Sequence, residues 1–452
     1  MNAKYSWTNS TRLMCAAAYQ DSQLRDTIIG LFEGNPCRPL APCYGVDMDL
    51  VYEHCVRAKA MDKDPWLIYF CIALAGGILT LAAGPAAALL AAIAAGLVFW
   101  RYETKKTGVL RNELSEDSFV RRAEVPATTD GNAELIVYSG FSPFATAGNE
   151  LSTWSFATNI EKGKCEFSRQ LTPEAFGMNE LYTYIEKELK ALNIQNCTID
   201  DIVCVHGWDV IKDRRFLPDR LTRPNQTVSA TELPAFIENR SQAGRHYKRV
   251  QIVDWSGDLV FTLFFRFAKE QRNLFCEVSY YILTAVADKY RRVDELKETT
   301  APEVIGKILG YPFVGAFLCI GSPFVLWKRL TGAFADPEKA QRKQIEENRQ
   351  FDYGAQIYPR GMVSSGAYRR YFLMLDKDLY SKLVVRQFLD ATIDFLDEHN
   401  VDTTDLRDRQ TTIENHGIIV SGGDLNAEAV AVGKKAKANS VRSQKAAAGS
   451  AE

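Results

Sequence analysis

The residues of this chain that could do chemistry form one loose set. His206-Gly-Trp-Asp209 follows a strand-like run, a position where catalytic side chains often sit, and Ser139 or Ser142 could supply a nucleophile with Asp254 or Asp258 as orienting carboxylate. Nothing in the spacing requires these residues to meet, and a strand-end His beside Gly and Trp is more often a structural hydrogen-bonding residue. No Gly-x-Ser-x-Gly elbow, phosphate loop, dinucleotide fingerprint, His-Glu-x-x-His or calcium loop is present. Binding is therefore favoured over catalysis.

The ten cysteines include no Cys-x-x-Cys and no regular framework, which suits reduced thiols of a cytoplasmic protein. Cys37, Cys43, His54 and Cys55 are of types that bind zinc, but their spacing matches no finger. No metal and no cofactor is expected.

The elements that must position these residues begin with a membrane segment. The chain has 452 residues, 46% apolar and 24% charged, with a net charge of −2, which excludes a disordered, collagenous or cysteine-stapled class. Within that average, Trp66 to Trp100 contains no Asp, Glu, Lys, Arg or His. A spanning helix needs about 20 apolar residues, so this run is too long for one straight crossing and reads as two limbs of about 25 and 22 Å broken at Gly84-Pro85. Gly76, Gly77, Gly84 and Gly96 permit close helix packing in lipid. Arg57, Lys59 and Lys63 precede the hairpin and Arg101, Lys105, Lys106 and Arg111 follow it, which places both ends in the cytoplasm and Trp66 and Trp100 at one interface. The polar first 60 residues exclude an N-terminal signal peptide. A second apolar stretch, Ile308 to Trp327, carries Pro312, Pro323 and three glycines between basic flanks, and is expected as a kinked or interfacial segment rather than a third span.

Five regions are expected. Residues 1–64 form a solvated helical module, with a helix over Arg12 to Phe32 capped by Thr11 and a second over Asp49 to Ala60. Residues 65–100 form the transmembrane hairpin. Residues 101–300 form a cytoplasmic α+β domain. Its strands are read at Glu134–Tyr138, Trp154–Ile160, Ile202–His206, Arg249–Asp254, Leu259–Phe267 and Phe275–Ile282, and a helix at Asn179–Leu192, giving an antiparallel sheet of about five strands. Residues 301–410 hold the second apolar segment, a charged helix at Pro337–Asn348 and an amphipathic helix at Asp376–His399. Residues 411–452 hold two short strand-like runs about a Gly turn and a basic tail that either docks, stays solvated or stacks between copies. The Tyr138–Gly148 run, rich in Ser, Gly and aromatics, reads as a loop packed on the sheet, with Ser142, Pro143 and Phe144 as the candidates for a partner surface.

Thr11-Arg-Leu-Met-Cys-Ala-Ala-Ala-Tyr19, Tyr138-Ser-Gly-Phe-Ser-Pro-Phe144, Arg369-Arg-Tyr-Phe372, Asn415-His-Gly-Ile-Ile-Val-Ser-Gly-Gly423 and Ala431-Val-Gly433 together resemble a group of uncharacterised bacterial membrane proteins. The resemblance implies a bacterial inner-membrane protein with an N-terminal helical module, a hairpin and a cytoplasmic α+β region, and carries no activity. The expected fold is α+β with a membrane hairpin and C-terminal helices. The expected function is binding and assembly, in a sharper form as a signalling or defence effector acting on the membrane. The alternative is a membrane-anchored enzyme using His206. The expected partners are the lipid bilayer, further copies of the chain, and a protein met through the N-terminal module or tail, with no nucleic acid.

Overall fold

A computed structural model describes residues 8–119, 132–238, 243–296, 301–332, 337–348, 350–368 and 370–416. The chain divides into two compact units, one of Met1–Phe156, Asn193–Lys269 and Phe275–Arg369, the other of Ala157–Leu192, Glu270–Leu274 and Arg370–Glu452. The two short strand-like runs of the tail and the basic residues that follow them lie outside the described residues.

In chain order the first elements are α1 (Thr8–Gln20), α2 (Ser22–Glu33), α3 (Met48–Ala83) and α4 (Ala86–Asn112). The single helix expected over Arg12 to Phe32 is thus two, because Asp21 leaves the helical conformation and caps α2 by accepting the Leu24 N–H at 3.0 Å. Thr11 lies inside α1 and caps nothing there; its hydroxyl accepts the Asp47 N–H instead. The solvated character expected of this module also fails for α1, since Leu13 to Ala18 are all 0% exposed. The Cys-Ala-Ala-Ala run lets neighbours close on every side of a helix whose only charge, Arg12, pairs with Asp294 at 2.6 Å and donates to the Leu114 carbonyl. The helix expected over Asp49 to Ala60 runs on without a break through Pro65 into the first apolar limb.

The body follows with β1 (Ala133–Tyr138), β2 (Asn149–Asn159), a two-residue pair β3 (Cys165–Glu166) and β4 (Arg169–Gln170), α5 (Met178–Ala191), β5 (Cys197–His206), β6 (Thr227–Val228), α6 (Leu233–Glu238), β7 (Gly244–Asp254), β8 (Leu259–Glu270) and β9 (Asn273–Leu283). Seven strands form one sheet in the order β2-β9-β8-β7-β5-β1-β6. Five antiparallel strands were expected, and the sheet departs from that in kind as well as number: β1 and β5 pair in parallel, with Tyr138 opposite His206. Trp255 and Ser256, with φ of 51° and 55°, make the turn between β7 and β8 where the sequence places it.

Charged residues in the middle of β5 and β7 are satisfied across the strands. On one face the buried Arg249 bonds Glu134 at 2.6 Å and Asp200 at 3.2 Å, and burial's tendency to lower its pKa is outweighed by Glu134, Tyr44 and Asp200, which raise it. On the other, Asp201 accepts from His246 at 2.8 Å and Lys248 at 2.9 Å. Burial lowers the pKa of His246 despite Asp201, whereas at Asp201 burial is outweighed by His246 and Lys248 and the carboxyl sits below its usual range.

The chain ends with α7 (Ala301–Gly332), α8 (Pro337–Glu347), α9 (Pro359–Val363), α10 (Tyr371–Glu398) and α11 (Thr404–His416). Three helices, α3, α4 and the Gly310–Trp327 part of α7, are long and apolar enough to cross a membrane. They pack on one another, so the apolar part is a bundle of three rather than a pair alone. A Cβ at Gly96 would stand 2.6 Å from the Tyr311 carbonyl and one at Gly315 would overlap the Ala92 carbonyl, so the contact of α4 with α7 depends on glycine at both positions. In the second unit α5 packs on α10, whose buried side includes Val384, Phe388, Ile393 and Phe395, while Leu379 and Leu383 of the expected stripe are exposed. There Lys162, with the Thr404 hydroxyl and N–H, holds the Asp402 carboxyl down to about 2.

The lowered pKa of His246 fixes a sign. The unfolded chain takes up a proton near pH 6.5 and the folded one does not, so the neutral imidazole stabilises the fold above that pH and the contribution is lost as pH falls below it. Between pH 7.5 and 5.5 the melting temperature of the protein is expected to fall, and less steeply for His246→Asn; equal slopes would contradict this assignment.

Candidate functional site

The parallel pair β1 and β5 ends at Tyr138 and His206, and the chain beyond both strands forms the site. A third segment joins there. Ala355 pairs with Tyr138, its N–H donates to the Val137 carbonyl at 3.0 Å, Gly207 donates to the Tyr138 carbonyl at 2.9 Å, and Tyr353 donates to the Gly207 carbonyl at 3.2 Å. The three segments thus share one backbone network, and the side chains they carry are held in place by it.

Ser139 donates its hydroxyl to the Asp352 carboxylate at 2.5 Å, and the other oxygen of Asp352 accepts the Gly354 N–H at 2.8 Å. His206 Nδ1 accepts the Trp208 N–H at 3.2 Å, which places the proton on Nε2, where it is donated to the Gly140 carbonyl at 3.2 Å. Tyr138 meets the His206 ring edge-on at 5.1 Å and Trp208 lies 4.7 Å from it. Trp208 and Phe141 project outward, the latter fully exposed. The arrangement offers a hydroxyl, a carboxylate and an aromatic rim.

The structure therefore brings together Ser139 and His206 at neighbouring strand ends but not the carboxylates expected with them. Asp254 accepts the Trp255 N–H at 2.7 Å in the turn beyond the other end of β5. That end lies about 30 Å away along the strand, at roughly 3.3 Å per residue. Asp258 takes Arg291 at 2.6 Å. Both ring nitrogens of His206 are engaged by backbone groups, and the Ser139 hydroxyl donates to Asp352 rather than to His206. The Ser142 hydroxyl accepts the Phe144 N–H at 3.2 Å and closes the loop. Phe144, expected on a partner surface with Ser142 and Pro143, is a core residue 5% exposed, stacked 4.2 Å from Phe264 and edge-on to Tyr247. An aromatic after Ser-Pro repays more by burial than by display, and the neighbour left outside is Phe141.

Asp352 escaped the sequence reading. Its only mark is a place in Phe351-Asp-Tyr-Gly354 between the charged helix and a proline, a pattern any turn could carry. Of the zinc-type residues, Cys37 and Cys55 are buried in different core clusters and His54 Nδ1 meets the Tyr19 hydroxyl at 3.1 Å. Among the described residues no group of three or more His, Cys, Asp or Glu is placed to hold a metal.

Fold and site define an α+β protein with a seven-stranded mixed sheet, a Ser–Asp contact at the parallel strand ends and a three-helix apolar bundle in the same unit. Residues 153–427, more than half of the chain, match the family of AbeC-like domains, and the chain belongs to that family. The matched region includes Arg369–Phe372, His206, Asp352 and α7, and leaves out the N-terminal module, α3, α4 and the Tyr138–Phe144 run. No curated protein and no solved structure matches the chain.

A Cβ at Gly207 would overlap the Asp352 carboxylate and the Gly354 amide. Gly207→Ala is expected to displace the Phe351–Ala355 segment and cost about 1–3 kcal/mol, as overpacking does. A melting temperature unchanged from the parent protein would contradict the close approach.

Proposed function

We propose that the protein is a membrane-anchored binding and assembly protein, held by α3 and α4 as a hairpin, with both termini, the N-terminal helices and the sheet on the cytoplasmic face. The observation that supports this best is the surface of the bundle. Only 11% of each apolar stretch is buried within the protein, and Leu74, Ile78 and Leu81 of α3 and Leu89, Leu90 and Leu97 of α4 all face outward. In water such a surface exceeds the few hundred Å² of contiguous apolar patch a monomer ordinarily exposes. Hydrocarbon removes the conflict. Gly84-Pro85 then forms the tip, Trp66 and Trp100 lie at the near interface, and the basic residues outside them face the cytoplasm.

The lipid bilayer is the first partner in this reading. Copies of the chain are the second, and a protein meeting the N-terminal module or tail the third. The sharper form is a signalling or defence effector: assembly repacks the glycine contact of α4 with α7 and perturbs the bilayer. A second reading, a membrane-anchored enzyme, draws its support from Ser139 and Asp352 rather than from His206, because the serine hydroxyl already points at a carboxylate.

After alkaline carbonate washing the protein is expected to stay in the membrane pellet. A variant carrying Ile78→Arg and Leu90→Arg, each costing about 2.5–3.5 kcal/mol at a span's centre, is expected to appear in the supernatant. Release of the parent protein would end the membrane reading. A potential-sensitive dye that stays unchanged on induction of the assembled protein would remove the effector form. For the enzyme reading, Ser139→Ala and Asp352→Asn are expected to abolish a phenotype that His206→Ala largely preserves; a phenotype insensitive to all three is expected for a binding protein.

A further inference from the structure

We infer that α7 does not cross the bilayer but enters and leaves it by the face that carries the sheet, presenting one apolar stripe to lipid acyl chains. The inference rests on the membrane reading of α3 and α4.

Before α7 the chain is fixed in the N-terminal core: Asp294 pairs with Arg12 at 2.6 Å, the Tyr290 hydroxyl bonds Asp21 at 2.8 Å, and Tyr290 and Val293 are buried there. After α7 it is fixed in the sheet core. Gln341 accepts the Cys37 N–H at 3.1 Å, and Ile345, Phe351 and Tyr353 are buried with Leu135 and Val203. The two flanks then meet: Ala287 donates to the Val363 carbonyl at 2.8 Å, Ser365 to the Ala285 carbonyl at 2.9 Å, and Val286 pairs with Ser364. Residues 287–363 thus form one long loop of a single compact unit, closed where its two flanks pair.

A single crossing would strand the returning flank on the far side. A second crossing between Trp327 and Phe351 would have to carry Asp336-Pro-Glu-Lys-Ala-Gln-Arg-Lys-Gln-Ile-Glu-Glu-Asn-Arg349 through hydrocarbon, and charges at that density do not enter it. The helix is suited to the remaining course. Pro312 and Pro323 interrupt its hydrogen bonding and permit bends, and Tyr311, Gly315 and Ser322 are buried against its neighbours. On the other side Phe313, Phe317, Ile320, Phe324 and Trp327 repeat at intervals of four and three and are 68–81% exposed. On α3 and α4, which pack on α7, Leu74, Ile78, Leu89 and Leu90 are likewise exposed. Lys307 before it and Lys328 and Arg329 after it are basic at both ends, as two ends at one headgroup layer should be and as opposite ends of a span are not.

The test is protease-site insertion in the full-length protein, probed in right-side-out and inverted membrane vesicles. Sites are inserted between Glu116 and Asp117, at Gly84-Pro85, and between the end of α7 and the start of α8. The expected result is cleavage of the first and third from the same face and of the Gly84-Pro85 site from the opposite face. Cleavage of the third site from the face of the Gly84-Pro85 site would overturn the inference while leaving the hairpin intact. Cleavage of the Gly84-Pro85 site from the face of the first would remove the hairpin itself, and with it both readings.

Discussion

The guanidinium of Arg249 cannot be withdrawn from water without its carboxylates, and that requirement fixes much else. Glu134 on β1, Asp200 on β5 and the Tyr44 hydroxyl from the loop before α3 all reach it, so one buried charge ties three strands to the N-terminal part of the chain. A slip of one residue in β1 or β5 would turn its carboxylate to the opposite face and leave Arg249 unpaired in the core. With the register held, Tyr138 stands opposite His206, the two strands end level, and the Phe351–Ala355 segment finds a backbone to pair with. The opposite face carries the same logic in Asp201, His246 and Lys248.

Local pattern made part of this legible. The chargeless run at Trp66–Trp100, the alternation of the central strands and the turn at Trp255-Ser256-Gly257 are properties of short windows, and the corresponding elements lie within a few residues of their expected bounds. What escaped is set by partners far along the chain. The parallel pairing of β1 with β5 has no local mark, since the chain between them contains α5 and three strands that pair elsewhere. The burial of α1 depends on α3 and on the 288–295 turn closing around it, which no window of thirteen residues records. Acidic Asp200-Asp201 complements basic Arg245 to Arg249, and that match becomes readable only when the two runs are set antiparallel.

The site shows the same division. His206 is legible because it ends a strand-like run, whereas nothing local selects Asp254 or Asp258 as the carboxylate beside Ser139. β7 runs antiparallel to β5, so the end of β7 lies beside the beginning of β5. Strand direction, which residue types do not encode, decides which carboxylate can stand beside Ser139. Phe144 illustrates the converse: a loop residue whose ring fills the space between Phe264, Tyr247 and Tyr281 beneath the sheet.

The carboxylate that meets Ser139 comes from the long loop that includes α7. Asp352 reaches Ser139 only after the chain has passed through α7 and α8 and been pinned by Gln341, Ile345 and Phe351. The family match begins within β2 and holds α7, α8 and Asp352 together with His206, while α3 and α4 fall outside it. Within the family region, then, the most apolar helix and the acidic side chain of the site belong to one continuous insertion closed at its base by Val286 and Ser364. Any displacement of α7 must be absorbed between Trp327 and Phe351 or passed on to Asp352. The buried anchors of α8 make the first course costly, because Ile345 would have to leave the core it fills and Gln341 would have to give up the Cys37 N–H.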